Sequence, residues 1–123
     1  ECVDELHSFS RLYARFFSGS GGFDILVTPA LAITPPRLGL MNGTTEDPLK
    51  GFRRSVPLIA YTSPINISGQ PAISLPLSTT SDGIPVGVQF IASYGQEALL
   101  LRLARELEMS APWSERHPKE LLS

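Results

Sequence analysis

Apolar residues recur at Val3, Leu6, Phe9, Leu12 with Tyr13, and Phe16 with Phe17. Steps of three and four make one helical face, so the spacing predicts a helix from about residue 3. Arg11 and Arg15 lie off that face. The helix should stop in Ser18-Gly19-Ser20-Gly21-Gly22, where glycine supplies the positive φ of a C-cap. Phe23-Asp24-Ile25-Leu26-Val27-Thr28 then reads as a short strand. Its Ile25, Leu26 and Val27 are consecutive, which predicts burial on both faces, as in a sheet covered by helices.

Residues 29–49 carry Pro29, Pro35, Pro36, Gly39, Asn42, Gly43 and Pro48 and show no period. Such a stretch is uncommon inside a compact domain and marks a functional or partner-covered loop. Residues 52–65 read as a second helix, with Val56, Ile59, Ala60 and Ser63 on one face and Pro57 in the first turn. Ala72-Ile73-Ser74-Leu75-Pro76 reads as a strand. Residues 84–91 read as another, with Val86, Val88 and Phe90 on one face. The polar run 78–83, ending Asp82-Gly83, predicts an antiparallel hairpin. Ser93 and Gln96 fit a capping box for a last helix that buries Leu100, Leu103, Ala104 and Leu107 and ends before Pro112. The tail after Trp113 is polar and reads as loose. This order is an α/β pattern. Three strands are few for an independent sheet, which predicts neighbours that this chain does not supply.

Composition narrows the classes. In 123 residues the charges sum to −2 and only 18% are charged, so neither a basic nucleic-acid face nor a disordered chain is expected. No apolar run approaches the length of a membrane span. The one cysteine, Cys2, excludes an internal disulfide framework and fits a reducing, cytoplasmic setting. The chain opens Glu1-Cys2-Val3-Asp4 with no signal-peptide pattern, inside what reads as a helix. That is a first hint of a longer parent.

Candidate chemistry is sparse. A Ser–His–Asp site needs a base, and the histidines are His7 and His117, one on the first helix and one in the tail. Their spacing offers no metal motif. The glycine–serine run 18–22 follows a helix, opens a strand and has no lysine near, so it lacks the context of a phosphate loop. Lys50 and Lys119 sit in a loop and in the tail, unlike the buried lysine of a Ser–Lys site. Arg53-Arg54 reads as a solvated helix start or an ion pair. Read alone, the residues give no catalytic residue, no metal ligand and no cofactor site.

Three motifs carry a resemblance. They are Phe23-Asp24-Ile25-Leu26-Val27-Thr28-Pro29, then Asn66-Ile67-Ser68-Gly69-Gln70-Pro71-Ala72-Ile73-Ser74-Leu75-Pro76, then Gly83-Ile84-Pro85-Val86-Gly87-Val88-Gln89-Phe90-Ile91. In this order, with a leucine-rich closing helix and Pro112-Trp113 behind them, they resemble the C-terminal quarter of the amidase signature family. The resemblance implies that residues 1–123 are the C-terminal portion of a single amidase domain, without its N-terminal catalytic portion. The fold implied is an α/β/α sandwich around a mixed sheet. The activity implied is hydrolysis of carboxylic amides through a Ser–cis-Ser–Lys triad lying upstream of this chain; Ser18 and Ser20 do not match that signature.

In the family, the helix face three, seven and ten residues before the motif asparagine borders the acyl pocket. Here those positions are Ser63, Ile59 and Val56, the face the spacing gives independently. Family members that transamidate charged transfer RNA place an aspartate where this chain has Ile59, so the resemblance implies a less polar amide than glutamine. The Asn-x-x-Gly-Gln-Pro-Ala form resembles bacterial amidases, including cyclic-amide hydrolases of the aminohexanoate type. The partners implied are the N-terminal remainder of the amidase and a small-molecule amide, with a homo-oligomer left open and neither nucleic acid nor membrane. Asn66 is expected to bond backbone at the helix-to-strand turn. Gly69 and Gly87 are expected to allow unusual φ or close approach. The rival readings are an independent α/β interaction module and a self-contained serine hydrolase, the latter lacking a base.

Overall fold

The computed structural model describes residues 1–18 and 22–116. Residues Gly19, Ser20 and Gly21 of the glycine–serine run, and His117 and Lys119 of the tail, lie outside the described residues. Among the described residues four helices and three strands follow one another as α1 (Cys2–Ser18), β1 (Ile25–Pro29), α2 (Lys50–Ile59), α3 (Ser63–Ser68), β2 (Ala72–Thr79), β3 (Pro85–Ala92) and α4 (Glu97–Ser110).

The strands form one sheet in the order β1-β3-β2, and both pairings are antiparallel. The hairpin is as its polar turn predicts. The Thr80 N–H donates to Ile84 O at 2.8 Å and Gly83 turns the chain with φ 81°. β2 runs past its expected end at Pro76. Pairing is interrupted between Leu75 and Ser78, and that irregularity takes in the proline, which has no N–H for the ladder.

Register sorts the side chains onto two sides. Ile25, Val27, Ile73, Leu75, Val88, Phe90 and Ala92 share one side. There α4 packs Leu100 against Leu75, Phe90 and Ala92, with Leu103, Leu107 and Trp113 around them. Trp113 therefore belongs to the core, and Arg116 reaches back to Pro76 O at 3.2 Å, so the tail is tied as far as residue 116. The other side carries Leu26, Thr28, Ser74, Gln89 and Ile91 and faces α1 and the α2–α3 region.

The doubly covered strand is β3. Gln89, Phe90, Ile91 and Ala92 are all buried, whereas in β1 Val27 is 54% exposed. Consecutive apolar residues in β1 announced helices on both sides, but this strand lies at a sheet edge.

Two local expectations are corrected. The helix expected over 52–65 is two helices. Pro57 stands near the end of α2, not in its first turn, and α2 stops two residues later. A proline there removes a helix donor and crowds the preceding turn. Pro64 opens α3 instead. The Ser93–Gln96 capping box is absent: Gln96 is itself the N-cap of α4 and makes no side-chain capping bond. A backbone turn, Gln96 N–H to Ser93 O at 3.1 Å, sets the start.

The long loop keeps no regular structure but is braced. Arg53 pairs with Asp47, and Arg54 donates to Leu40 O at 2.8 Å. The basic pair thus holds the loop. The segment meets the sheet at Gly87, whose carbonyl accepts the Ala30 N–H at 2.9 Å, and a Cβ on Gly87 would lie 3.0 Å from both the Ala30 Cβ and the Ser74 Oγ of β2.

Candidate functional site

The apolar face of α1 does not reach the sheet core along its whole length. Leu12 stays 65% exposed and no α1 residue is fully buried. Its first two turns, with Cys2, Leu6 and Phe9, form one wall of a groove. The opposite wall comes from α2 and α3. Val56, Ile59 and Ser63, the three residues singled out from the sequence, all line this groove, with Pro64 and Ile67 beside them. The break between α2 and α3 does not remove any of them from it. The groove has a volume of about 610 Å³, within the usual range for a small-molecule site.

Ile59 and Val56 are 42% and 49% exposed, so they face open space and not packed core. The Ser10 hydroxyl lies between Leu6 O of its own helix at 2.9 Å and Ile67 O of α3 at 3.3 Å, so its single proton is shared between α1 and α3. Such walls can hold an aliphatic group by releasing water from apolar surface. Glu5 is the one carboxylate in the lining. His7 is exposed on α1 and is not in the lining. Among the described residues no cluster of His, Cys, Asp and Glu could hold a metal ion, and no helix is long and apolar enough to cross a membrane.

α3 divides this groove from a second cavity of about 400 Å³. The second cavity is polar, lined by Thr62, Asn66, Gln70, Ser74 and Gln89. Gln89 is buried and its Nε2 donates to Thr28 Oγ1 and to Tyr61 O, both at 3.1 Å. That amide ties β3 to β1 and to the α2–α3 turn. Among the described residues, side-chain and capping bonds at the end of α3 come from groups other than Asn66. Gly69, at φ 79°, caps the helix through its N–H to Ile65 O at 2.8 Å, and the Tyr94 hydroxyl donates to Ser68 O. Asn66 instead faces the cavity.

Gln70 and Gln89 stand in the quoted motifs, but sequence reasoning gave neither a role. For Gln89 the available signal was a polar residue in an otherwise apolar strand. For Gln70, placed between Gly69 and Pro71, no periodic signal exists.

Comparison with known proteins settles the family. The Amidase family model matches residues 3–101. The chain belongs to the amidase family. It is 40% identical to the 6-aminohexanoate-cyclic-dimer hydrolase of Paenarthrobacter ureafaciens, an alignment covering 98% of this chain and 25% of that protein. The hydrolase of the same description from Pseudomonas sp. (strain NK87) gives the same identity and coverage. A solved structure of 6-aminohexanoate cyclic dimer hydrolase complexed with substrate superposes with TM-score 0.84 at 40% identity, covering 98% of this chain and 26% of that one. The α/β architecture is thus that of an amidase-signature hydrolase, and the chain spans about a quarter of the length of the relatives it matches.

Proposed function

We propose that residues 1–123 are the C-terminal portion of a single amidase domain. The parent hydrolyses carboxylic amide C–N bonds through a Ser–cis-Ser–Lys triad in the part outside this chain. The observation that carries the reading is the alignment of nearly the whole chain, 98%, with only 25% of an amide hydrolase. In such chemistry a serine attacks the amide carbon, the amine leaves with a proton, and water releases the acyl group. This portion contributes sheet strands and one wall of the acyl pocket, with Val56, Ile59 and Ser63 against the chain of an aliphatic linear or cyclic amide. An apolar Ile59 suits that substrate, because a charged ammonium beside it would lose its hydration without a partner. The N-terminal remainder of the parent is the partner of this segment.

The gene decides the first half of the reading. A Lys codon followed by a Gly-Ser-Ser-Gly run upstream of residue 1 supports it, whereas a start codon just before Glu1 refutes it. Turnover of a simple amide by the isolated chain also refutes it. Ile59→Asp in the intact enzyme tests the second half. kcat/KM for an aliphatic amide should fall about thirty-fold, roughly 2 kcal/mol, mostly through KM. An unchanged KM with a large fall in melting temperature would make Ile59 a packing residue and remove it from the pocket.

A further inference from the structure

Gln70 is 6% exposed, and neither Oε1 nor Nε2 of its side chain has a hydrogen-bond partner among the described residues. Buried polar groups are almost always paired, because an unmet donor or acceptor keeps the full cost of leaving water. Its neighbour in the same cavity wall, Gln89, meets two acceptors, so the region is not merely loosely packed. One amide in this wall is complete within the chain and the other is not.

We infer that the polar cavity beside α3 seats a stretch of main chain from the part of the parent outside these 123 residues, with Gln70 as its hydrogen-bonding clamp. A carboxamide presents one acceptor and two donors in a plane, which matches the N–H and C=O of a peptide unit. Two placements favour main chain over substrate. Ala72 and Ser74 of the cavity wall belong to β2, which lies at an edge of the described sheet, where further backbone can approach. α3 also stands between this cavity and the apolar groove, Ser63 and Ile67 lining the groove and Thr62 and Asn66 the cavity. A substrate held in the groove is thus separated from Gln70 by α3. The partner is available in length, since the chain covers 25% of its relatives. The inference rests on the reading of this chain as part of a longer amidase.

The test uses the intact gene product and its Gln70→Met variant, which keeps an unbranched side chain of similar length and removes both polar atoms. Hydrogen–deuterium exchange should become about tenfold faster in one segment outside residues 1–123, with KM for an aliphatic amide unchanged. If that variant does not fold, Gln70→Glu, which keeps the shape but loses the donor, should expose the same segment. An active, intact amidase whose exchange outside residues 1–123 is unmoved by either change overturns the clamp and leaves the amidase reading standing. A raised KM with unmoved exchange assigns the cavity to substrate and also overturns it. A gene product with no chain beyond these residues overturns the amidase reading itself, and the clamp with it.

Discussion

The two sides of the sheet have been finished to different degrees. On the side of α4, Leu75, Phe90, Ala92 and Leu100 close on one another at 7% exposure or less. Of the other apolar positions that the period of two assigns to this side of β3, Val88 packs against this cluster and Val86 stays 38% exposed. On the side of α1 and α3 the same strand offers Gln89 and Ile91, yet the helices above leave an apolar groove and a polar cavity. The first side is a core that this chain builds alone. The second leaves open the groove and the cavity for which an acyl chain and a stretch of main chain are the proposed occupants. The difference teaches that a local hairpin and its following helix complete one layer by short-range contacts, whereas the second layer depends on residues distant in sequence.

The strongest way to break this contrast is to damage the closed side. Phe90→Ala removes a nearly buried ring from the centre of the α4 core. It should cost about 3–5 kcal/mol, measured by urea unfolding. On the open side, Val56→Ala removes a side chain that is 49% exposed and should cost well under half of that. Equal losses would mean that the two sides are equally packed.

A smaller effect tests a satisfied polar feature of the open side. Gln89→Leu keeps the volume but strands Thr28 Oγ1 and Tyr61 O, which its Nε2 now serves. The expected loss is about 1 kcal/mol, because both bonds are only partly buried and Tyr61 is 39% exposed, so water can serve the stranded acceptors in part. A neutral result would show that water already reaches them.

Much of the closed side was legible, for a physical reason. Val86, Val88 and Phe90 alternate, and Leu100, Leu103 and Leu107 follow at helical steps, so period alone assigns them to one core. Val56, Ile59 and Ser63 were legible as a shared face by the same means, and the groove lining brings them together even though the helix breaks between them. That break was readable in principle: Pro64 followed by Gly69 is the pattern of proline at a helix start and glycine past its end. The capping box failed because its residue types permit the bonds without requiring them. Burial of Gln70 had no local signature, since it arises where α3, β2 and β3 meet.

The exposed face of α1 gives a further test of the open side. Val3, Leu6, Leu12 and Phe16 are each more than 40% exposed. The isolated chain should associate through them at high concentration, and Leu12→Lys with Phe16→Lys should shift it toward monomer in sedimentation. A wild-type chain that stays monomeric at high concentration would mean that this surface is tolerated in water.

The smallest effect belongs to neither side and serves as a control on both. Glu46 lies in the long loop, where its own backbone N–H and then the Thr44 hydroxyl hold its carboxyl below the ordinary value. Lowered in the folded state, it adds stability that is present above the unfolded pKa and is lost as the pH falls through the folded one. Thr44→Val removes the hydroxyl, which also accepts the Asp47 N–H at 3.0 Å. The Glu46 carboxyl should then titrate closer to its ordinary value, read from its carboxyl carbon signal by NMR. Because Glu46 is fully exposed, solvent screens the interaction and the melting temperature should move little between neutral and acid pH. Signals from Phe90 and from Ile67 should stay in place, since around Glu46 the loop is braced to α2 through Arg53 and Arg54, whereas its bond to β3, Ala30 N–H to Gly87 O at 2.9 Å, lies at the other end of the loop. Movement of the Ile67 signals alone would couple this loop to the groove and make the open side larger than its present walls.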